Sequence, residues 1–196
     1  MRRVIVWLLA CLAVSASGCA SFNVGADYSP IPDSHKGLAV FSLTGSGIGY
    51  FNIKFRRTSG GAAGFAPSGG TAGPKPDWID PTGRLVAIDL DGGEYEFFAW
   101  EDHFGAGPTQ SMATVVSDAS GTMAIRARSS KTPFSVRFLV HSAAVTYIGN
   151  IHVALTGDGY TVRVSDQADR DLALFHQRYT RIKLEEVQRN LAVPGQ

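Results

Sequence analysis

Apolar and polar residues alternate along most of this chain in short runs, the two-residue period of strands that bury one face. The run from Gly37 to Thr44 is followed by 47–57, where Ile48, Tyr50, Ile53 and Phe55 are the apolar members. Over 84–90, Leu85 and Ala87, with Asp89, fall on one face and Val86, Ile88 and Leu90 on the other. Asp91-Gly92-Gly93 reads as a turn and Tyr95 to Trp100 as the returning arm, which predicts a hairpin. A weaker strand pattern lies at 121–128. Phe134, Val136, Phe138 and Val140 alternate with polar residues. From Val145 to Leu155, Ile151, Val153 and Leu155 share a face. Gly157-Asp158-Gly159 then turns the chain so that Tyr160, Val162 and Val164 pair back. Seven or eight short strands of this kind predict a mainly β fold, an antiparallel β-sandwich rather than a parallel α/β sheet.

Three stretches break the alternation. Residues 59–76, rich in Gly, Ala, Ser and Pro, read as a long flexible loop. Residues 20–32 are small and polar with two prolines and read as a tether. The C-terminal part changes period: Ser165 or Asp166 can cap a helix whose first turn carries Asp169 and Asp171. Leu172, Phe175 and Tyr179, with Leu174 at the margin, form a stripe at helical spacing suited to packing on a sheet face. A second short helix is expected over 184–191. Residues 36–196 then form a single domain.

The N-terminus has another logic. Arg2 and Arg3 precede an apolar run from Val4 to Val14, too short to cross a hydrocarbon core that needs roughly 20 helical residues. Ser15 to Gly18 are small, and Cys19 follows at once. This arrangement resembles the lipobox of bacterial lipoproteins, although Ala16 stands where that family usually carries Leu. The resemblance implies a cleaved signal helix over 1–18, a diacylated Cys19 at the mature N-terminus, and a lipidated tether over 19–35. Ordinary signal cleavage near this site is the alternative. Two acyl chains exceed what reversible binding by one chain provides, so attachment to the membrane is expected to be stable. Ala20 replaces the Asp that would signal inner-membrane retention, which points to the outer membrane.

Cysteine usage and charge fit that reading. The two cysteines are Cys11 and Cys19, and Cys11 leaves with the leader. No intramolecular disulfide is then expected in an oxidising compartment, and acylation caps the remaining thiol. Lys and Arg number 18 against 17 Asp and Glu, so losing Arg2 and Arg3 leaves the mature chain slightly acidic. No basic stripe with interleaved aromatics is visible, so nucleic acid is not an expected partner.

Within the domain, Gly93, Tyr95 and Phe97 on one arm and Tyr147-Ile148-Gly149 on a later strand resemble motifs of small bacterial lipoprotein domains of the prealbumin-like or carboxypeptidase-regulatory-like sandwich type. That resemblance covers about 36–179 apart from the glycine-rich loop, implies the sandwich fold, and carries little chemistry.

Catalytic and metal signatures are sparse. Gly45-Ser46-Gly47-Ile48-Gly49 lacks the Lys-Ser/Thr pair and helical context of a phosphate loop and reads as a turn between strands. No G-x-S-x-G elbow, H-E-x-x-H or C-x-x-C is present, so no catalytic or metal residue and no cofactor is assigned. His141, His152 and His176 sit in strand or helix patterns as partly buried or surface residues. Glu101-Asp102-His103 beside Trp100 is the one local cluster of titratable groups. Trp100, Asp102 and His103 are therefore the candidate ligand-binding residues, with Cys19 the lipidation site. Phe97, Trp100 and Phe65 could line a small-ligand pocket. The expected function is a non-catalytic binding or assembly module, anchored in the envelope by its lipid and contacting another envelope protein. A ligand-binding or hydrolytic protein using Asp102 and His103 is the alternative.

Overall fold

Strand β1 (Lys36–Ser46) is buried without a break from Gly37 to Leu43. A strand can bury consecutive residues only if both faces of its sheet are covered, and this one is. The computed structural model describes residues 23–48, 51–60, 63–67, 83–102, 133–156 and 159–195, together with the backbone at 116–117, 123–124 and 128–129.

The further strands are β2 (Phe51–Arg57), β3 (Gly64–Pro67), β4 (Gly83–Asp91), β5 (Gly93–Asp102), β6 (Val116–Ser117), β7 (Met123–Ala124), β8 (Arg128–Ser129), β9 (Val136–Val140), β10 (Val145–Thr156), β11 (Gly159–Ser165), β12 (Val187–Arg189) and β13 (Val193–Pro194); helix α1 spans Ala168–Arg178. One sheet has the order β11-β10-β1-β4, with β12 also on β10; the other has the order β13-β9-β5-β2-β3, with β8 also on β5. The fold is mainly β with two principal sheets, and β6 and β7 form a separate pair.

Ala39, Phe41 and Leu43 of β1 point to one side and meet Ile53 of β2, Phe97 of β5 and Phe138 of β9 in a core shared by both sheets. On the other side Leu38 and Val40 of β1, Leu85 and Ala87 of β4, and Val145 and Tyr147 of β10 meet Leu172 and Phe175 of α1 and Tyr179 at its C-terminal cap. The helical stripe therefore packs on a sheet face as its spacing predicts. The two faces expected for 84–90 are also those observed.

Several expectations are corrected. The arms 84–90 and 95–100 do not pair: β4 bonds to β1, and β5 bonds to β2 and β9. The turn between them carries the chain from one sheet to the other. Gly93 adopts φ +149 there, and Arg57 Nη2 donates to the Gly92 carbonyl at 2.7 Å. The pairing is not wholly antiparallel either, since β1 runs parallel to β10 and so does β12. Within the expected loop 59–76, β3 pairs with β2. The helix expected over 184–191 is a single 3₁₀ turn, Leu184–Glu186, followed by β12. Open backbone groups along β10 recruit Val187–Arg189 as a strand, and tertiary pairing overrides local propensity. The signal helix over 1–18 lies outside the described residues.

The segment expected to be a tether is partly docked. Asn23 Nδ2 donates to the Leu85 carbonyl at 3.3 Å, and its Oδ1 accepts from the Ala87 N–H at 2.8 Å. The Val24 N–H donates to the Ala87 carbonyl, while Tyr28 OH donates to Asp89. An edge strand presents open backbone groups, and here Asn23 and Val24 bond those of Leu85 and Ala87 on β4.

Strand β10 contains a bulge. Val40 stands opposite Tyr147 but Ser42 opposite Asn150, so β10 carries one extra residue at 148–149. Tyr147 therefore faces the helix, whereas Ile148, Ile151 and Val153 face the shared core. Gly149 absorbs the irregularity at φ +101. A Cβ there would lie 3.1 Å from the Ser165 carbonyl oxygen and 3.2 Å from Val164 Cγ1. Replacing Gly149 by Ala should cost about 2 kcal/mol and lower Tm by roughly 4–8 °C, read by calorimetry. Gly159→Ala, where a Cβ meets nothing within 4 Å, should leave Tm almost unchanged.

Candidate functional site

Asp171, in the first turn of α1, is fully buried. A carboxylate removed from water needs its acceptor positions filled. Oδ2 accepts from Ser42 Oγ at 2.7 Å and from Tyr147 OH at 2.8 Å. Oδ1 accepts from Arg170 Nε at 2.8 Å, with Nη2 of the same guanidinium also 2.8 Å away. Burial, then the Asp171 charge, pushes the Tyr147 phenol far up, so it stays protonated and donates. The Tyr147 oxygen in turn accepts from the Gln167 N–H at the start of the helix.

From this anchor a chain of hydrogen bonds runs outward between β1 and β10. Ser42 Oγ accepts from Asn150 Nδ2 at 2.8 Å and from Arg170 Nη2 at 3.0 Å, leaving its own proton for Asp171. Asn150 also meets Thr44 Oγ1, at 3.1 Å through Nδ2 and 3.2 Å through Oδ1. Thr44 Oγ1 lies 2.8 Å from His152 Nδ1, and Ser46 Oγ lies 3.1 Å from His152 Nε2. The series passes from the buried Asp171 to the exposed Ser46.

The sheet places these groups together. Beyond Leu38 and Val40, β1 continues the helix-facing side with Ser42, Thr44 and Ser46, and β10 continues it with Asn150 and His152 after the bulge. Arg163 of β11 stands opposite His152. Partial burial, then the Arg163 charge, holds the His152 imidazole below its ordinary value, so it is neutral at pH 7. A neutral imidazole has one donor and one acceptor nitrogen, each facing a hydroxyl here. The outer end can therefore hydrogen-bond a polar partner or exchange a proton between Ser46 and His152. The buried end fixes the helix on the sheet.

The residues singled out from the sequence lie elsewhere. Trp100 is 2 % exposed in the shared core, its ring edge-on to Tyr160 with 5.3 Å between centroids. Asp102 ends β5, its backbone opposite Phe51 and Arg128. His103 and Cys19 lie outside the described residues. Phe97 points into the core, whereas Phe65 is exposed on β3 beside buried Ala66, so Phe65, Phe97 and Trp100 do not converge. The signal for the polar series was the spacing Ser42-x-Thr44-x-Ser46 within an apolar strand, a row of hydroxyls on one face. Among the described residues no three His, Cys, Asp or Glu side chains are grouped to hold a metal ion.

A second feature is a groove of about 980 Å³ beside the edge strands β11 and β13. Phe134, Tyr160, Val162, Val164, Leu191 and Val193 are among its lining residues. Leu191 and Val193 are also exposed, at 37 % and 57 %.

Comparison with known proteins adds little. No family model matches the chain and no curated protein matches it. A leucine-rich repeat protein from Bacteroides thetaiotaomicron aligns with 64 % of this chain at 14 % identity and a TM-score of 0.37. The chain spans 14 % of that protein's length, and an overlap so weak supports neither a shared fold nor a shared role.

Two outcomes test the polar series. Asp171→Ala should cost about 2–4 kcal/mol in urea unfolding, because Ser42, Tyr147 and Arg170 lose their common acceptor; Tyr147→Phe should cost about 1–2 kcal/mol. The pH dependence follows from His152. In the unfolded chain its imidazole protonates near pH 6.5, but in the fold only at lower pH, so below that value the unfolded state binds more protons. Stability should be steady in this respect above about pH 6.5 and decline as pH falls below it. His152→Gln should flatten that part of the profile, measured by urea unfolding between about pH 5 and 8.

Proposed function

We propose that this chain is a lipid-anchored lipoprotein of the bacterial envelope, with a β-sandwich domain serving as a non-catalytic binding or assembly module. The observation that carries the reading is the arrangement of the N-terminal sequence: Arg2 and Arg3, the apolar run from Val4 to Val14, the small residues 15–18, and Cys19 directly after them. Asn23, four positions after Cys19, is bonded to β4, so cleavage before Cys19 keeps that contact. The sandwich reading is supported by two sheets contributing to one core. Among the described residues no helix is long and apolar enough to cross a membrane, and acylation of Cys19 would provide attachment by other means. Ala20 directs the lipoprotein to the outer membrane. The edge strand β11 and the adjoining groove offer a surface for another envelope protein.

A second reading, a hydrolytic protein, is favoured by one specific contact, Ser46 Oγ 3.1 Å from His152 Nε2. It moves the candidate chemistry from Asp102 and His103 to β1 and β10.

The experiment is the intact mass of the protein purified from membranes, for the natural sequence and for Cys19→Ala. The natural protein should begin at Cys19 and carry a diacylglyceryl group, and Cys19→Ala should leave the membrane fraction. A mature N-terminus elsewhere, or an unmodified Cys19, would overturn the anchor. Covalent labelling of Ser46 by a fluorophosphonate, lost in His152→Gln, would replace the module reading with the hydrolytic one.

A further inference from the structure

We infer that the lipid anchor holds the domain with its β4 edge toward the bilayer and its β11–β13 groove turned away from it. This rests on the lipoprotein reading above, to which the structure adds the shortness of the link. Four residue steps separate Cys19 from Asn23, a span of at most roughly 14 Å when fully extended.

Asn23 is fixed at the end of that span. It is 4 % exposed, and its amide bonds to both the Leu85 carbonyl and the Ala87 N–H on the outer edge of β4. The segment that follows is held at three further points: Val24 N–H on the Ala87 carbonyl, Tyr179 OH on the Val24 carbonyl at 3.1 Å, and Arg181 Nη1 on the Asp27 carbonyl at 3.1 Å. The last two contacts come from the C-terminal end of α1 and the segment after it, so the link reaches a point clamped by two elements.

The geometry then limits the domain's freedom. Strand β11 lies three strand positions from β4 in the same sheet, and Asn23 lies one further step outside β4. At about 4.8 Å per step, the far edge is roughly 19 Å from Asn23, more than the link's full reach. The β4 edge must stay near the lipid to which Cys19 is joined, and β11 can turn to the aqueous side. The groove beside β11 and β13 is thereby presented to a partner. The surface near Asn23 takes the bilayer as its occupant.

Depth-dependent quenching in vesicles tests this orientation. The acylated protein is reconstituted in phosphatidylcholine–phosphatidylglycerol vesicles with a headgroup spin-labelled lipid. A fluorophore is attached through Ala26→Cys, Thr161→Cys or Gln188→Cys, three positions that are exposed in the fold. Cys19 is capped by its lipid, so the introduced thiol is the one that reacts. Thr161 lies on β11 and Gln188 on β12, both on the side of β10 opposite β1. The Ala26→Cys label should be quenched at least twofold more strongly than either of the others. Equal quenching, or stronger quenching at Thr161→Cys, in protein whose intact mass includes the acyl chains overturns the orientation while sparing the anchor. An unacylated mass removes the anchor and this inference with it. Inserting ten Gly and Ser residues between Ser21 and Phe22 adds up to roughly 33 Å of reach. It should retain acylation and abolish the contrast between sites; a contrast that persists would overturn the role given to the short link.

Discussion

Covering both faces of one sheet is the constraint on which the rest of this fold depends. Strand β1 has β4 and β10 at its sides, the second sheet on one face and α1 on the other. A strand so enclosed must be apolar on alternate faces at once, which explains Leu38 through Leu43 as a nearly continuous apolar run. It also concentrates the difficulty of placing polar groups. Ser42 is fully buried in that run, and its hydroxyl is satisfied by Asp171, Asn150 and Arg170 together. Asn150 comes from the neighbouring strand β10, and Asp171 and Arg170 from the covering helix, so the strand and its surround share one polar junction.

Local periodicity made the two faces of β4, the alternation of β9 and the stripe of α1 legible in the sequence, because each depends on spacing within one element. The relation between elements was not legible in the same way. A glycine turn between two alternating runs is equally compatible with a hairpin and with a crossing between sheets. What decides here is that β1 takes the pairing edge of β4, while β2 and β9 take those of β5. Gly149 was visible as a glycine, but its bulge depends on the register of β1 against β10 across more than a hundred residues. The segment 184–191 suited a helix locally and became a turn and strand once β10 offered a free edge.

The polar series shows the same division. The spacing of Ser42, Thr44 and Ser46 was readable, and His152 was recognisable as a strand histidine. Their meeting required parallel pairing of β1 with β10, a bulge that turns Asn150 and His152 to the helix side, and a helix that brings Asp171 over Ser42. No local signal contains any of those. Asp102 and His103 are adjacent in sequence, whereas the hydroxyls of β1 and the groups the fold brings to them are separated by 106 to 129 positions.

Why a carboxylate occupies the buried junction is a question of specificity more than strength. A buried, paired charge gains little over a well-packed apolar group, since desolvation offsets most of the attraction. The apolar contacts of Leu172, Phe175 and Tyr179 with the sheet are non-directional, and a helix slid by one turn of about 5.4 Å could repack many of them. Asp171 could not follow: its oxygens would leave Ser42 Oγ and Tyr147 OH and stay buried without those donors. That penalty selects one position of α1 along the sheet. The same position puts the end of the helix at Val24, where Tyr179 OH holds the entering chain. The junction at Asp171 therefore fixes, eight residues later at Tyr179, where the N-terminal segment is clamped.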